Sequence, residues 1–372
     1  MEKISFPAFE IEQPVGKFYI GKVKYYELVN LCSKDLKNID DTQYDIFQRK
    51  LDKDRMPALR RYMEYSRASF PNGIVLTANL PFTFENGMMT VEKRKDAFFI
   101  IDGQHRVEAL KYYKGNSKFE VCVVIFGPTN KDMRAELFTV INSEQKRVNP
   151  TVRLNLRGND IVDTPEKVVR KIAIALNESR ESPFYRRILF ADQFSRRDEN
   201  KISLASFAKP IISAIYSTDQ FFSLKDALIA SNNDRRALDD EFGYVKKGLW
   251  KYYSEGKDEV IYLILLNYFG AFADLFEKDW KSPKSILMKT TGYNAMFMLL
   301  NDLLKKENED KLGDFSYDYF FNLIQPLKPL AGNFILDKWG VGLAASSKLY
   351  REFTRLLNLS AQYKVFDDYN EE

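Results

Sequence analysis

The residues best placed to do chemistry are Asp102, Gly103, Gln104, His105 and Arg106, within FFIIDGQHRVEAL at 98–110. His105 is the single histidine in 372 residues. An apolar run ends at Asp102, and the pattern predicts a helix from about Gln104 to Tyr113. Gly103 permits a tight turn or the close approach of a ligand. The first amides of a helix lack intrahelical partners, and the helix dipole adds partial positive charge there. Arg106 lies one turn in, and His105 can donate or accept near neutral pH. Together these groups offer a seat for a phosphate. Asp102 can serve the same ligand by holding Mg²⁺ or a bridging water. A plainer role stands beside this one: Asp102 as an N-cap, Gly103 as a turn, and Arg106 paired with Asp102 or Glu108.

A second polar group follows in INSEQKRVNP, 141–150. Asn142 and Gln145 are short-range donors and acceptors at the end of an amphipathic helix. Lys146 and Arg147 bring positive charge that suits a triphosphate. Basic residues are also favoured at any helix C-terminus, so a solvated helix end explains the run equally simply. From 144 to 209 there are 14 Lys and Arg against 9 Asp and Glu, a local excess larger than the +4 of the whole chain. Arg153 and Arg157 fall one helical turn apart, and the pairs Arg186-Arg187 and Arg196-Arg197 follow. Tyr185, Phe190 and Phe194 interleave with them, a mixture that suits phosphate contacts with base stacking. A basic surface around core aromatics has the same composition. Helix-turn-helix and zinc-finger patterns are missing.

The elements that position these residues are of two kinds. Up to about residue 150 the chain alternates. A helix is expected over 52–67, a turn at Pro71-Asn72-Gly73 and then a strand, a turn at 85–87, and a strand from Ala97 to Ile101. KFEVCVVIFG reads as a buried strand, and NKDMRAELFTVINSEQ as a helix with Met133, Leu137 and Ile141 on one face. Beyond about 160, TPEKVVRKIAIALNES opens with the helix start Thr164-Pro165, and the later segments all carry helical spacing. The expectation is an α+β chain: a mixed α/β domain over 1–158, then a mostly helical domain over 159–372 that binds DNA or a partner.

Composition narrows the classes. Hydrophobic content of 45% and charged content of 29% are those of a soluble globular protein. Cys32 and Cys122 are too few for a disulfide framework or a cysteine-rich zinc site, and a reducing cytoplasm is expected. Cys122, inside VCVVIFG, is expected to be a buried small hydrophobe. The run at 260–276 carries Asn267 and Asp274 and is short for a bilayer span, so it reads as a core helix and no membrane segment is expected. No G-x-x-x-x-G-K-[ST] sequence occurs, which excludes a P-loop enzyme.

Three stretches, FQRKLDKDRMPALRRYM with FPNGIVL, IIDGQHRVEAL and ELFTVINSEQKRVNP, resemble the DGQHR-domain family in the family's order. That family includes the DndB proteins of DNA phosphorothioation clusters and the DpdB proteins of 7-deazaguanine insertion. In the second half only ILMKTTGYNAMFMLLNDLL is similar. The family is in turn related to the ParB and sulfiredoxin-like nucleotide-binding fold, whose G-x-x-R-x-x-A box corresponds to Gly103, Arg106 and Ala109. Its second phosphate motif is similar to INSEQKRVNP, with the Asn-to-Gln spacing one residue longer.

The resemblance implies a nucleotide site of Gly103, Gln104, Arg106, Asn142, Gln145 and Lys146, with Asp102 and Asn142 on Mg²⁺ and Asp102 and His105 orienting water. ATP is the nucleoside triphosphate it points to. It implies an ATPase accessory to bacterial DNA modification, acting with DNA and with a transglycosylase-like or sulfur-incorporating enzyme. Oligomeric state stays open, a homodimer included. The alternative from the phosphorothioation branch is a DNA-binding transcriptional regulator in which DGQHR is structural. A nuclease has less support, since no further metal-carboxylate cluster lies near the motif.

Overall fold

The computed structural model describes residues 2–32, 55–115, 118–129, 149–190, 200–238, 248–310 and 314–359, with Met133, Leu137 and Ile141. It has two compact units, Met1–Arg147 and Val148–Glu372. The expected division lay after residue 158. Helix 150–157 falls in the second unit, where it packs on two helices of that unit and places Leu154 in its core.

The first unit holds β1 (Lys3–Gln13), β2 (Gly16–Lys24), α1 (Tyr25–Leu31), α2 (Arg55–Glu64), β3 (Ile74–Ala78), β4 (Phe82–Glu85), β5 (Met88–Glu92), β6 (Phe98–Asp102), α3 (Gln104–Leu110) and β7 (Glu120–Phe126). The strands form one sheet in the order β4-β5-β1-β2-β7-β3-β6. Only β3 and β7 run parallel. The turn at 85–87 is a β4–β5 hairpin with Asn86 and Gly87 both at positive φ, 51° and 75°, as a tight hairpin turn requires. Met133, Leu137 and Ile141 are helical, as their spacing predicted.

Strands β1 and β2 were not anticipated. β1 pairs with β5 through Lys3–Pro7 and with β2 through Ala8–Gln13. Pro7, which has no N–H to give a ladder, sits where the partner changes. Gly21 lets β2 pass close by: a Cβ there would lie 3.0 Å from the Phe6 ring and 3.1 Å from Val123.

The second unit is mostly helical, with α4 (Pro150–Arg157), α5 (Pro165–Glu178), α6 (Leu204–Ile215), α7 (Phe221–Ala230), α8 (Asp258–Leu275), α9 (Thr290–Asp310), α10 (Tyr317–Ile324) and α11 (Gly342–Leu356), joined by shorter turns. Helices α4, α5, α6 and α10 begin on the side-chain caps Asn149, Thr164, Ser203 and Ser316. In α8 the polar pair within the apolar run serves one neighbour. Asn267 donates to the Phe315 carbonyl at 2.8 Å, and Asp274 accepts from Tyr317 at 2.7 Å. This is the expected core helix, and no described helix is long and apolar enough to cross a membrane.

One expectation is corrected. Cys122 is exposed, because β7 alternates and it is Val121, Val123 and Ile125 that point inward. Cys32 is the buried thiol, and burial pushes its pKa up to about 12. A thiolate-selective reagent at pH 8 should therefore label one thiol in the native protein and two in denaturant. Cys122→Ser should abolish the native reaction; unchanged native labelling in that variant would place the reactive thiol at Cys32.

Candidate functional site

The DGQHR joint is built by two antiparallel neighbours in the sheet. β6 delivers the chain to Asp102, which pairs with Val75 near the start of β3. The chain turns at Gly103 with φ 101° and ψ 17°, and α3 begins at Gln104. A side chain at 103 would be strained by that φ, and its Cβ would meet Ile74 and the Arg106 guanidinium at 3.2 Å. Helix α3 buries Val107, Ala109 and Leu110 and packs on α1 and α2. Ala109 of the G-x-x-R-x-x-A box is thus a core residue.

Asp102 does not cap α3: the helix start has no side-chain cap. Oδ2 of Asp102 instead accepts from Arg106 Nη2 at 2.6 Å. Nη1 of the same guanidinium donates to the carbonyls of Asn72 at 2.6 Å and Gly73 at 3.2 Å. One half-buried arginine therefore ties the end of β6, the turn before β3 and the first turn of α3 together. The plainer role expected for Arg106, pairing with Asp102, is present, whereas capping by Asp102 is absent. Glu108 turns the other way and pairs with Lys111 at 2.7 Å. Gln104 and His105 are half-buried on the same first turn.

Asp102 Oδ1 accepts no hydrogen bond from any described residue, so one carboxylate oxygen stays available to a cation. Mg²⁺ is commonly held by one or two carboxylates plus substrate phosphates, and this donor set fits that pattern. It does not amount to a cation site by itself, since no group of three or more His, Cys, Asp or Glu gathers among the described residues. Asn142, Gln145 and Lys146 lie outside the described residues. Asn149 caps α4 by accepting from the Thr151 amide at 2.8 Å, with Pro150 next, which is what the Asn-Pro of INSEQKRVNP does.

The arginines expected to touch DNA fall into different settings. Arg153 is exposed on α4, and Arg186 is exposed at φ 55° beside the Tyr185 ring. Arg157 turns inward to Glu166 Oε1 at 2.7 Å and lies 3.7 Å from the Phe221 ring. Glu166 is 1% exposed; it also accepts from Tyr216 at 2.8 Å, and its Oε2 has no partner among the described residues. Burial pushes the Glu166 carboxyl up, against the opposing pull of Arg157 and Tyr216. Arg187 donates to the Trp280 carbonyl at 2.8 Å, and burial lowers its pKa. Arg196 and Arg197 lie outside the described residues. The Arg157–Glu166–Tyr216 cluster was not foreseen, because a Glu in the first turn of a helix reads as a dipole partner on the surface.

Three substitutions test these assignments. Gly103→Ala should lower stability by about 1–3 kcal/mol through backbone strain at positive φ, measured by urea denaturation. Arg157→Ala should cost about 3–5 kcal/mol by leaving Glu166 buried without its cation, while Arg153→Ala should stay within about 0.5 kcal/mol. Equal effects of the two arginine substitutions would contradict the inward placement of Arg157.

The family whose sequence model matches is DndB, described as DNA-sulfur modification-associated, over residues 6–177. Residues 178–372 lie outside that match. No curated protein and no solved structure matches the chain. The stretch 6–177, with the DGQHR joint inside it, is thus the part of the chain that is similar to the DndB family.

Proposed function

We propose that the chain is a Mg²⁺-dependent nucleoside-triphosphate-binding accessory of DNA sulfur modification, with ATP seated at the DGQHR joint. The observation that carries this reading is the start of α3: no side chain caps it, and the acid beside it is paired with Arg106 while one carboxylate oxygen stays unbonded to described residues. Its amides and dipole favour an anion. Arg106, held on three sides, is a fixed positive charge whose position needs no reorganisation when a phosphate arrives. Hydrolysis of a triphosphate is mostly positioning and charge neutralisation. Asp102 and His105 supply water-orienting groups, and the reading is of a slow switch. Asn142, Gln145 and Lys146 would complete the phosphate contacts. The DndB match supports the phosphorothioation pathway over 7-deazaguanine insertion, with DNA and a sulfur-incorporating enzyme as partners.

A second reading has its own support. The three hydrogen bonds of Arg106, to Asp102, Asn72 and Gly73, are internal, as expected if DGQHR is structural and the protein is a DNA-binding regulator of the modification gene cluster. Titration calorimetry with ATP and Mg²⁺ separates the two. On the nucleotide reading, Asp102→Asn and His105→Ala each weaken ATP binding at least tenfold while the far-UV circular dichroism of the folded protein is retained. ATP that fails to bind the wild type sinks it. Sequence-specific binding of the cluster's promoter DNA that ignores ATP and survives Asp102→Asn favours the regulator.

A further inference from the structure

Two Asn-Gly pairs occur in the chain, Asn72-Gly73 before β3 and Asn86-Gly87 in the β4–β5 hairpin. An asparagine before glycine is the one most prone to close on itself, because no Cβ shields the glycine nitrogen from the neighbouring carboxamide. Both asparagines are exposed. Neither carboxamide, and neither glycine N–H, is hydrogen-bonded to a described residue. By local sequence and exposure the two pairs are equal in this chemistry.

They differ at the peptide carbonyl. The oxygen of Asn72 accepts from Arg106 Nη1 at 2.6 Å, whereas the oxygen of Asn86 accepts from no described residue. The guanidinium is fixed there, since Nη1 also donates to the Gly73 carbonyl at 3.2 Å and Nη2 to Asp102 at 2.6 Å. The Asn72 carbonyl and the Gly73 N–H belong to one peptide unit. A permanent cation on that oxygen makes the nitrogen more acidic and stabilises the imidate formed when the proton leaves. It also polarises the carbonyl carbon toward water. Asn86 and Gly87 are in addition held at positive φ, 51° and 75°, between the paired residues Glu85 and Met88.

We propose that Asn72-Gly73 is a self-modification site, at which Arg106 promotes closure to a succinimide and its opening to an isoaspartyl linkage. Hydroxide takes the Gly73 amide proton, and the nitrogen attacks Asn72 Cγ. The N–Cγ bond forms and the Cγ–Nδ2 bond breaks; Nδ2 leaves as ammonia with a proton from water, which regenerates hydroxide. Water then adds to one of the two ring carbonyls, the bond from that carbon to nitrogen breaks, and the nitrogen takes back a proton. Attack at Cγ gives an aspartyl residue. Attack at the former main-chain carbonyl carbon, the one that Arg106 polarises, gives the isoaspartyl linkage. In that product the oxygen that Arg106 already holds becomes part of a carboxylate. The guanidinium then has two carboxylate partners, and its charge is no longer offered to an incoming anion. Water is the only reagent consumed, and the step does not depend on the ATP reading above.

The test incubates the full chain at about pH 8, native and unfolded in guanidinium chloride. Peptide mass spectrometry that separates aspartyl from isoaspartyl products follows both Asn-Gly sites. Position 72 should convert at least threefold faster in the native chain than in the unfolded one, with the larger isoaspartyl share when native. Position 86, without the cation, should convert more slowly in the native chain than in the unfolded one. Arg106→Gln keeps a donor and removes the charge; it should slow position 72 at least threefold and leave position 86 unchanged. The native-to-unfolded comparison needs only the wild type, so the test stays valid if Arg106→Gln fails to fold. Three results overturn the inference: native conversion at 72 no faster than unfolded, a mainly aspartyl product there, or a folded Arg106→Gln variant that converts at 72 as fast as the wild type.

Discussion

The candidate site depends on one guanidinium. Arg106 joins the end of β6, the turn before β3 and the first turn of α3 through the Asp102 carboxylate and the carbonyls of Asn72 and Gly73. Those three segments meet because β3 and β6 are antiparallel neighbours, so the start of one lies beside the end of the other. A planar fork with five donors can satisfy all three acceptors at once, which the compact ammonium of a lysine cannot. Gly103 completes the arrangement by allowing the chain to reverse against Ile74 with positive φ.

Helices of the two units begin in different ways, some on side-chain caps and others, α7, α8 and α11 among them, without one. In the second unit α4, α5, α6 and α10 begin on Asn, Thr or Ser side chains that satisfy an otherwise orphaned amide. At α3 the acidic residue that could have done this is drawn to Arg106 instead. The start of α9 is held differently, by the amides of Lys289 and Gly292 turning back to the Ile286 carbonyl. In each place polar groups go to holding the chain's turn rather than to a side-chain cap of the helix.

Much of this was legible from residues. Asp-Gly after an apolar run marks the β6–α3 joint, Asn-Gly marks the hairpin and Thr-Pro marks the start of α5, because each rests on a local backbone rule, whereas Asn149-Pro150, read only as part of a phosphate motif, turned out to start α4. Strands β1 and β2 were missed because their partners, β5 and β7, are far along the chain, and a strand's identity rests on such distant pairing. Cys122 was misplaced for a related reason: an apolar run reads as buried throughout, while the sheet exposes one of its faces. Arg157 shows the limit at the site itself. Its spacing from Arg153 is helical as read, but the direction of each side chain is set by Glu166 and Phe221, which no local pattern reveals.

The match to DndB ends at residue 177, and the first compact unit ends at 147. The intervening thirty residues hold α4 and nearly all of α5, whose Val168, Val169, Ile172 and Leu176 are buried in a core shared with α6 and α8. Sequence kinship and folding autonomy are therefore cut at different places. A polypeptide trimmed to the limits of the match would carry an uncovered greasy face into water, and would report on aggregation before it reported on the biology of the family.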